Sequence, residues 1–250
     1  MRRVLVTGGG ARIGQALCVA LAKAGLYVIV HYNTSAKGAE QTLGQLQAVG
    51  GKGEKIQADL SSHNQCLGLW KEIASAQTPV QALINNASLF ENDHLDEMSE
   101  QSWDKHFAIN AKAPVFLSQG FAAQLPADQT GHIVNILDQR LAKLNPDFFS
   151  YTLSKAVLGV ATTTMAQALA PQIRVNAVAP GPTLANARQS KQDFKKQQAA
   201  SLLQAGSPVQ EIIAAVMFLL NSSAITGQTL TVDGGQSLLW QTADITGISE

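Results

Sequence analysis

Tyr151 and Lys155 stand four apart in "YTLSK", within a stretch that reads as helix, so they share one helix face. An ammonium beside a phenol stabilises phenolate and draws the tyrosine pKa from about 10 toward neutrality. Such a phenol is a usable acid for reducing a carbonyl or an imine, and the lysine can also hold ribose hydroxyls. Thirteen residues before the tyrosine, where the apolar run "HIVNIL" ends, stands a carboxylate, Asp138. An ionised carboxylate accepts hydrogen bonds, cannot donate them, and repels electron-rich oxygen. It also pushes a neighbouring phenol's pKa up, against the help from Lys155. That is a poor arrangement for a plain ketone and a good one for a reacting edge that presents N–H groups. With a shared proton, Asp138 can also pass it to a ring nitrogen.

A second cluster lies near the start. "TGGGARIG", residues 7–14, follows a short apolar run and precedes a helical pattern. In that context a Gly-rich turn brings backbone close to a pyrophosphate at a helix N-terminus, and Gly8, Arg12, Ile13 and Gly14 become candidate cofactor contacts. Arg12 occupies a place where the common dinucleotide pattern has glycine. It suits a phosphate, a polar edge of a substrate, or simply solvent. The second strand runs into "HYNTSAKG", with no acid before Glu40 to hold a ribose 2′-hydroxyl. His31, Asn33, Ser35 and Lys37 all can donate to a 2′-phosphate, with Tyr32 beside them, so NADP(H) is the expected cofactor. The competing reading is an ordinary polar turn.

These groups need a frame. Strand patterns cover 2–7, 27–32, 53–58, 81–86, 132–137, 173–178 and 229–233. Helical patterns cover roughly 13–24, 36–49, 63–76, 99–125, 150–170 and 208–220. The alternation predicts one α/β domain over 1–250, Rossmann-type and doubly wound, with a seven-stranded parallel sheet covered by helices on both faces. Residues 181–201 are polar and weakly periodic, a candidate flap, and 236–250 form a tail. Of the 250 residues, 46% are hydrophobic and 14% charged, which supplies a large core. Eighteen basic residues balance eighteen acidic ones, so no charge surplus points to nucleic acid or a membrane surface. The longest strongly apolar stretch, 212–220, is far short of a membrane span. Two cysteines, Cys18 and Cys66, suggest no disulfide framework, and a cytoplasmic protein is expected. His63, His94, His106 and His132 show no metal-binding pattern.

Seven pieces then carry a likeness: "TGGGARIG", "ADL" at 58–60, "NNAS" at 85–88, Asn110 in "INAKAP", "YTLSK", "PGPT" at 180–183 and "DGG" at 233–235. In this order the chain resembles the short-chain dehydrogenase/reductase family over nearly its whole length. The resemblance implies that Asp59, with Leu60, lies near the adenine and that Asn86 and Ala87 line the adenosine ribose. It implies that Asn110 kinks its helix and holds a relay water. Pro180, Gly181 and Thr183 would flank the nicotinamide. A homotetramer built through 99–125 and 150–170 is also implied. Asp138 departs from the family's usual serine. With "GGGARIG", "HYNTS" and "NASLF", it resembles the pteridine reductase branch, whose members reduce dihydropterins with NADPH. Substrate contacts then fall to Arg12, Ser88, Phe90, Asp138 and Tyr151, with Phe90 placed to stack on a flat heterocycle. Thr34 departs from the branch, where an arginine is common. The alternatives are a carbonyl reductase acting on a 3-oxoacyl thioester or small ketone, and a non-catalytic NADP(H) sensor. Trp240 reads as interface.

Overall fold

In each inner strand, alternate residues supply two different cores, as a sheet covered on both faces requires. Val4, Val6, Val28, Val30, Ile84 and Val134 face one core; Leu5, Ile29, Leu83 and Ile133 face the other. The computed structural model describes residues 2–74, 78–185, 189–242 and 245–246. Its elements are β1 (Arg3–Val6), α1 (Arg12–Lys23), β2 (Tyr27–Tyr32), α2 (Ala36–Ala48), β3 (Lys52–Gln57), α3 (His63–Ala74), β4 (Val80–Asn85) and α4 (Glu100–Phe107). There follow a π-helical turn (Ala108–Lys112), α5 (Ala113–Gln124), β5 (Gly131–Ile136), α6 (Phe149–Leu169), β6 (Ile173–Pro180), α7 (Lys191–Ala199), α8 (Val209–Asn221) and β7 (Thr229–Val232). All seven strands join one parallel sheet in the order β3-β2-β1-β4-β5-β6-β7. The expected fold class is borne out.

Leu17 and Leu21 of α1, Leu46 of α2, and Ile212 and Val216 of α8 cover the first face. Trp70 of α3, Leu117 and Phe121 of α5 and Ala166 of α6 cover the second. Each large side chain so buried contributes about 1.5–3 kcal/mol. The chain order reverses between β1 and β4, and the carboxyl ends of β1, β2, β4, β5 and β6 open on one edge. In a doubly wound sheet that crevice is where ligands bind.

Two expectations need correction. The pattern over 99–125 is not one helix: α4 and α5 are separated by the π-turn that holds Asn110. The supposedly irregular 181–201 contains α7, which Ser190 caps by accepting from the Asp193 N–H; residues 186–188 lie outside the described residues. The helix expected over 63–76 is described to Ala74, and 75–77 lie outside the described residues. In the tail, 236–238 form a 3₁₀ turn, and 243–244 and 247–250 lie outside the described residues. No described helix is long and apolar enough to cross a membrane.

His31 is a further correction. Its ring is 2% exposed, with Nδ1 accepting from the Gly8 N–H at 3.1 Å and Nε2 donating to the Ala58 carbonyl at 3.0 Å. Both nitrogens are spent on backbone, so no donor remains for a 2′-phosphate. The imidazole instead ties the glycine turn to β2 and β3. Burial pushes its pKa from 6.5 down to about 4. Between those values the unfolded chain binds a proton that the folded chain refuses, so stability falls as pH drops through that window. The expected loss at pH 4.5 relative to pH 7 is roughly 2–3 kcal/mol from this group. Urea unfolding of wild type and His31→Gln at both pH values checks it. The variant should lose less by about that amount, and an equal loss would refute the assignment; His132, also held near 4, cancels in the difference.

Candidate active site

The glycine turn is built for close approach. Gly8 has φ +64, and a Cβ on Gly14 would lie 2.2 Å from the Gly8 carbonyl oxygen. Thr7 Oγ1 accepts from the Asn86 and Ala87 N–H groups at 2.9 and 3.0 Å. Asn86 Nδ2 donates to the Thr7 carbonyl at 2.8 Å. This mutual lacing locks β1 to β4 at the switch point. The helix start beyond it is uncapped: Ala11, the N-cap of α1, has no side chain to bond the first N–H groups. Free N–H groups and the helix dipole fit a dinucleotide's phosphates. Ile13 turns its side chain against the core, which leaves main-chain groups for a ligand.

At the ends of β2 and β3, Asn33, Ser35 and Lys37 are exposed and Tyr32 is half-buried. Asp59 Oδ1 accepts from Ser61 N at 2.9 Å, Ser61 Oγ at 2.8 Å and Asn33 Nδ2 at 3.4 Å. Leu60 is buried in the core, so its side chain is not a ligand contact. Arg12 departs from the phosphate or substrate contact expected of it. Its φ is +52, and its guanidinium donates to the carbonyls of Ala185 at 2.8 Å and Leu184 at 2.9 Å. The left-handed backbone that glycine would adopt freely is here held by a side chain clasping the segment after β6. In that segment Gly181 N–H bonds the Val232 carbonyl at 2.9 Å, and Thr183 donates to the Gly181 carbonyl at 2.9 Å. Pro180 closes β6 beside them.

The sequence-predicted catalytic groups do meet. Tyr151 donates its hydroxyl proton to Asp138 Oδ2 at 2.7 Å, and Asp138 Oδ1 is held by the Arg140 N–H at 2.8 Å. Lys155, 2% exposed, donates to the Ile136 carbonyl at 2.7 Å, and burial lowers its pKa to about 8. Tyr151 does not shift toward neutrality. Burial first, and Asp138's charge and hydrogen bond next, raise it well above 10. The phenol therefore holds its proton, and the carboxylate outweighs the lysine, whose ammonium sits 5.9 Å from the phenol ring centre.

Asn110 is a positioning residue. Its Oδ1 accepts from Leu89 N at 2.8 Å and Ser88 Oγ at 3.2 Å; its Nδ2 donates to the Leu89 carbonyl and Ser154 Oγ, both at 3.0 Å. All four side-chain valences are used within the protein. The π-turn supplies the implied kink, and such turns concentrate at functional sites. Ser88 thus lies at the junction of Asn110 and Tyr151. Phe90 meets Tyr151 edge-on at 4.7 Å, and it stacks on Phe148 at 4.2 Å with only 2° between the rings.

Phe148 escaped the sequence reading, although it lies between Asp138 and Tyr151. So did a buried node: Asp93 accepts from Ser150 N at 3.0 Å, Ser102 Oγ at 2.8 Å and Ser150 Oγ, and His106 Nδ1 lies 2.7 Å from Ser150 Oγ. It caps the start of α6 and so fixes where Tyr151 begins. No spacing pattern announces it.

Replacing Asp138 by Asn should lower the pH at which Tyr151 ionises, because charge repulsion is removed while the shape is kept. Near-ultraviolet titration, read as the difference from Tyr151→Phe, checks this; an unchanged midpoint would show that Asp138 does not control the phenol.

The comparisons agree with this geometry. A family model described as short chain dehydrogenase matches residues 2–196. L-xylulose reductase of Caenorhabditis elegans is 33% identical over 94% of this chain and 96% of its own length. The 3-oxoacyl-[acyl-carrier-protein] reductase of Staphylococcus epidermidis is 31% identical over 94% and 98%. Among solved structures, FolM alternative dihydrofolate reductase 1 from Brucella suis, in complex with NADP, is 45% identical with TM-score 0.94, covering 98% of both chains. Its Brucella canis counterpart, also with NADP, is 44% identical with TM-score 0.91. On its sheet order, glycine turn and Tyr–Lys helix, and on these matches, the chain belongs to the short-chain dehydrogenase/reductase family and is an oxidoreductase.

Proposed function

We propose that the chain reduces a dihydropterin to its tetrahydro form with NADPH. The observation that carries this is the Asp138–Tyr151 hydrogen bond beside the Phe90 ring. Its cofactor is NADP(H), in keeping with the NADP-bound neighbours and with a second-strand end that offers Asn33, Ser35 and Lys37 and no acid before Glu40. The uncapped α1 start, Asp59, Asn86, Ala87 and Lys155 are the groups proposed to hold it, with Gly8, Pro180, Gly181 and Thr183 contributing backbone and hydroxyl contacts. When bound, NADPH supplies hydride to an imine carbon of the ring.

The chain's own residues manage the proton. Asp138 Oδ1 is anchored by backbone, so Oδ2 is the oxygen that greets ring and amino N–H groups of the substrate. Tyr151 keeps its proton at neutral pH and delivers it through Asp138 to the ring nitrogen that becomes basic on reduction. Lys155, charged below about 8, balances the negative charge left on the pair. Ser88 and Phe90 hold the heterocycle at the pair. Both curated relatives named above reduce carbonyl groups by their names. A carboxylate facing the phenol argues against that chemistry here, because it cannot donate to a carbonyl oxygen.

The outward face of α4 and α6 supports a homotetramer. Leu153, Val157 and Val160 are 36, 45 and 68% exposed, next to Phe107 stacked on Trp103 at 4.3 Å. Trp240, 58% exposed, is proposed to lie at an interface too.

Asp138→Ala should lower kcat/KM for dihydromonapterin or dihydrobiopterin by about 10²–10⁴-fold, followed by NADPH oxidation. Intact turnover removes Asp138 from the mechanism, and wild-type turnover of an acetoacetyl thioester far above any pterin overturns the substrate class. In sedimentation, wild type should run as a tetramer and Val157→Glu/Val160→Glu as smaller species; a wild-type monomer defeats the assembly.

A further inference from the structure

The end of α4 and the π-turn after it tie the same two pieces of chain together twice. Asn110 holds Leu89 by its N–H and carbonyl and holds α6 at Ser154. One turn earlier, His106 makes a second tie, closer to the reacting groups. Its Nε2 accepts from the Glu91 N–H at 3.2 Å, next to Phe90, and its Nδ1 lies 2.7 Å from Ser150 Oγ, next to Tyr151. The ring is 0% exposed and edge-on to that of Tyr151, with 6.2 Å between centres. The proton chemistry above does not use it.

The network fixes the direction of each bond. Because Nε2 accepts, Nδ1 carries the hydrogen and donates, to Ser150 Oγ and to the Ser102 carbonyl at 3.0 Å. Ser150 Oγ donates in turn to Asp93 Oδ2, which also accepts from Ser102 Oγ at 2.8 Å. Asp93 Oδ1 takes the Ser150 N–H at 3.0 Å. Burial alone would raise the Asp93 pKa; hydrogen bonds from Ser150 and Ser102 outweigh it and hold the carboxyl below its usual range, so it remains an acceptor. The start of α6 needs such a hold. Phe148, its N-cap, has φ +56, in the left-handed region that a bulky residue keeps only when its surroundings impose it. Asn92 Oδ1 accepts the Phe148 N–H at 3.2 Å, and the Asp93 carbonyl accepts that of Phe149 at 3.1 Å.

We propose that His106 is a positioning residue whose two nitrogens set the distance between the loop carrying Phe90 and the first turn of α6 carrying Tyr151. It thereby fixes the width of the slot in which substrate meets the proton donor. This deepens the reading above and rests on the Tyr151–Asp138 pair, whatever substituents the substrate bears. Loss of the Glu91 tie moves the wall that binds. Loss of the Ser150 tie moves the phenol off Asp138.

Two conservative variants cut this brace one nitrogen at a time, because an Asn amide reaches only the place of Nδ1 and a Gln amide only that of Nε2. His106→Asn keeps Ser150 and loses Glu91, and should raise KM for dihydromonapterin about 3- to 10-fold with kcat nearly unchanged. His106→Gln keeps Glu91 and loses Ser150, and should lower kcat about 10- to 100-fold. Its Tyr151 midpoint, read by near-ultraviolet titration against the matching Tyr151→Phe variant, should fall as the phenol leaves the carboxylate that raises it. Ser150→Ala cuts the same tie from the α6 side and should reproduce both effects, with little added in the double variant. The dissociation constant for NADPH, read by fluorescence, should stay as in wild type throughout. Equal KM and kcat effects in His106→Asn and His106→Gln, or an unmoved Tyr151 midpoint in His106→Gln, would overturn the brace. So would a loss of NADPH affinity that tracks the loss of turnover, the mark of general loosening. A wild type silent on pterins yet active on ketones removes the pterin reading alone; the same variants compared on the ketone, with the same midpoint, then decide the brace.

Discussion

The 2.7 Å hydrogen bond from Tyr151 to Asp138 is the interaction on which the rest of the site depends. It reverses what the tyrosine–lysine pair alone would do. A buried phenol beside a carboxylate is harder to ionise, so this tyrosine stores a proton instead of offering an anion. Lys155 answers with a positive charge whose own proton burial loosens. Three groups with opposed preferences meet where Tyr151 and Lys155 are buried and Asp138 is half-buried, so their coupling is strong. A substrate that brings N–H donors relieves the carboxylate, whereas one that brings only a carbonyl oxygen does not.

The surrounding structure serves to hold that bond in register with the cofactor crevice. Backbone from β5 presents Asp138 and the Ile136 carbonyl. The buried Asp93 node pins the first residues of α6. Asn110 spends every side-chain valence joining the 88–89 loop to α6. On the nucleotide side, Thr7, Asn86 and neutral His31 perform the same service for the glycine turn. These are polar groups hydrogen-bonded within the fold, the form in which buried polarity adds order instead of cost.

Much of this was legible in the residues. Short β-branched runs alternating with helical patterns located all seven strands to within two residues at either end, because strands buried on both faces read as nearly continuous apolar runs. The Tyr151–Lys155 spacing and Asp138 were legible as a cluster because helix periodicity brings i and i+4 together. Less visible were features set by three-dimensional saturation. His31 and Arg12 are polar and suitably placed in the chain, yet both His31 nitrogens are taken by backbone groups, Nδ1 accepting from the Gly8 N–H and Nε2 bonding the Ala58 carbonyl, and two Arg12 N–H groups donate to the Leu184 and Ala185 carbonyls. The direction of the tyrosine's shift was a contest between Lys155 and Asp138, and only distance and burial could decide it. Phe148 was hidden because nothing in a loop sequence announces a left-handed aromatic.

The π-turn at Ala108–Lys112 has one more effect. A wider turn carries an additional residue, and each residue advances an α-helix by roughly 100°. Everything downstream is rotated by that step relative to an unbroken coil, so Leu117 and Phe121 of α5 meet the sheet only because of the slip. The same slip turns Asn110 inward. Phase and position are thus set by a single surplus residue, and a length change in this segment would move the amide and unseat half a core at once.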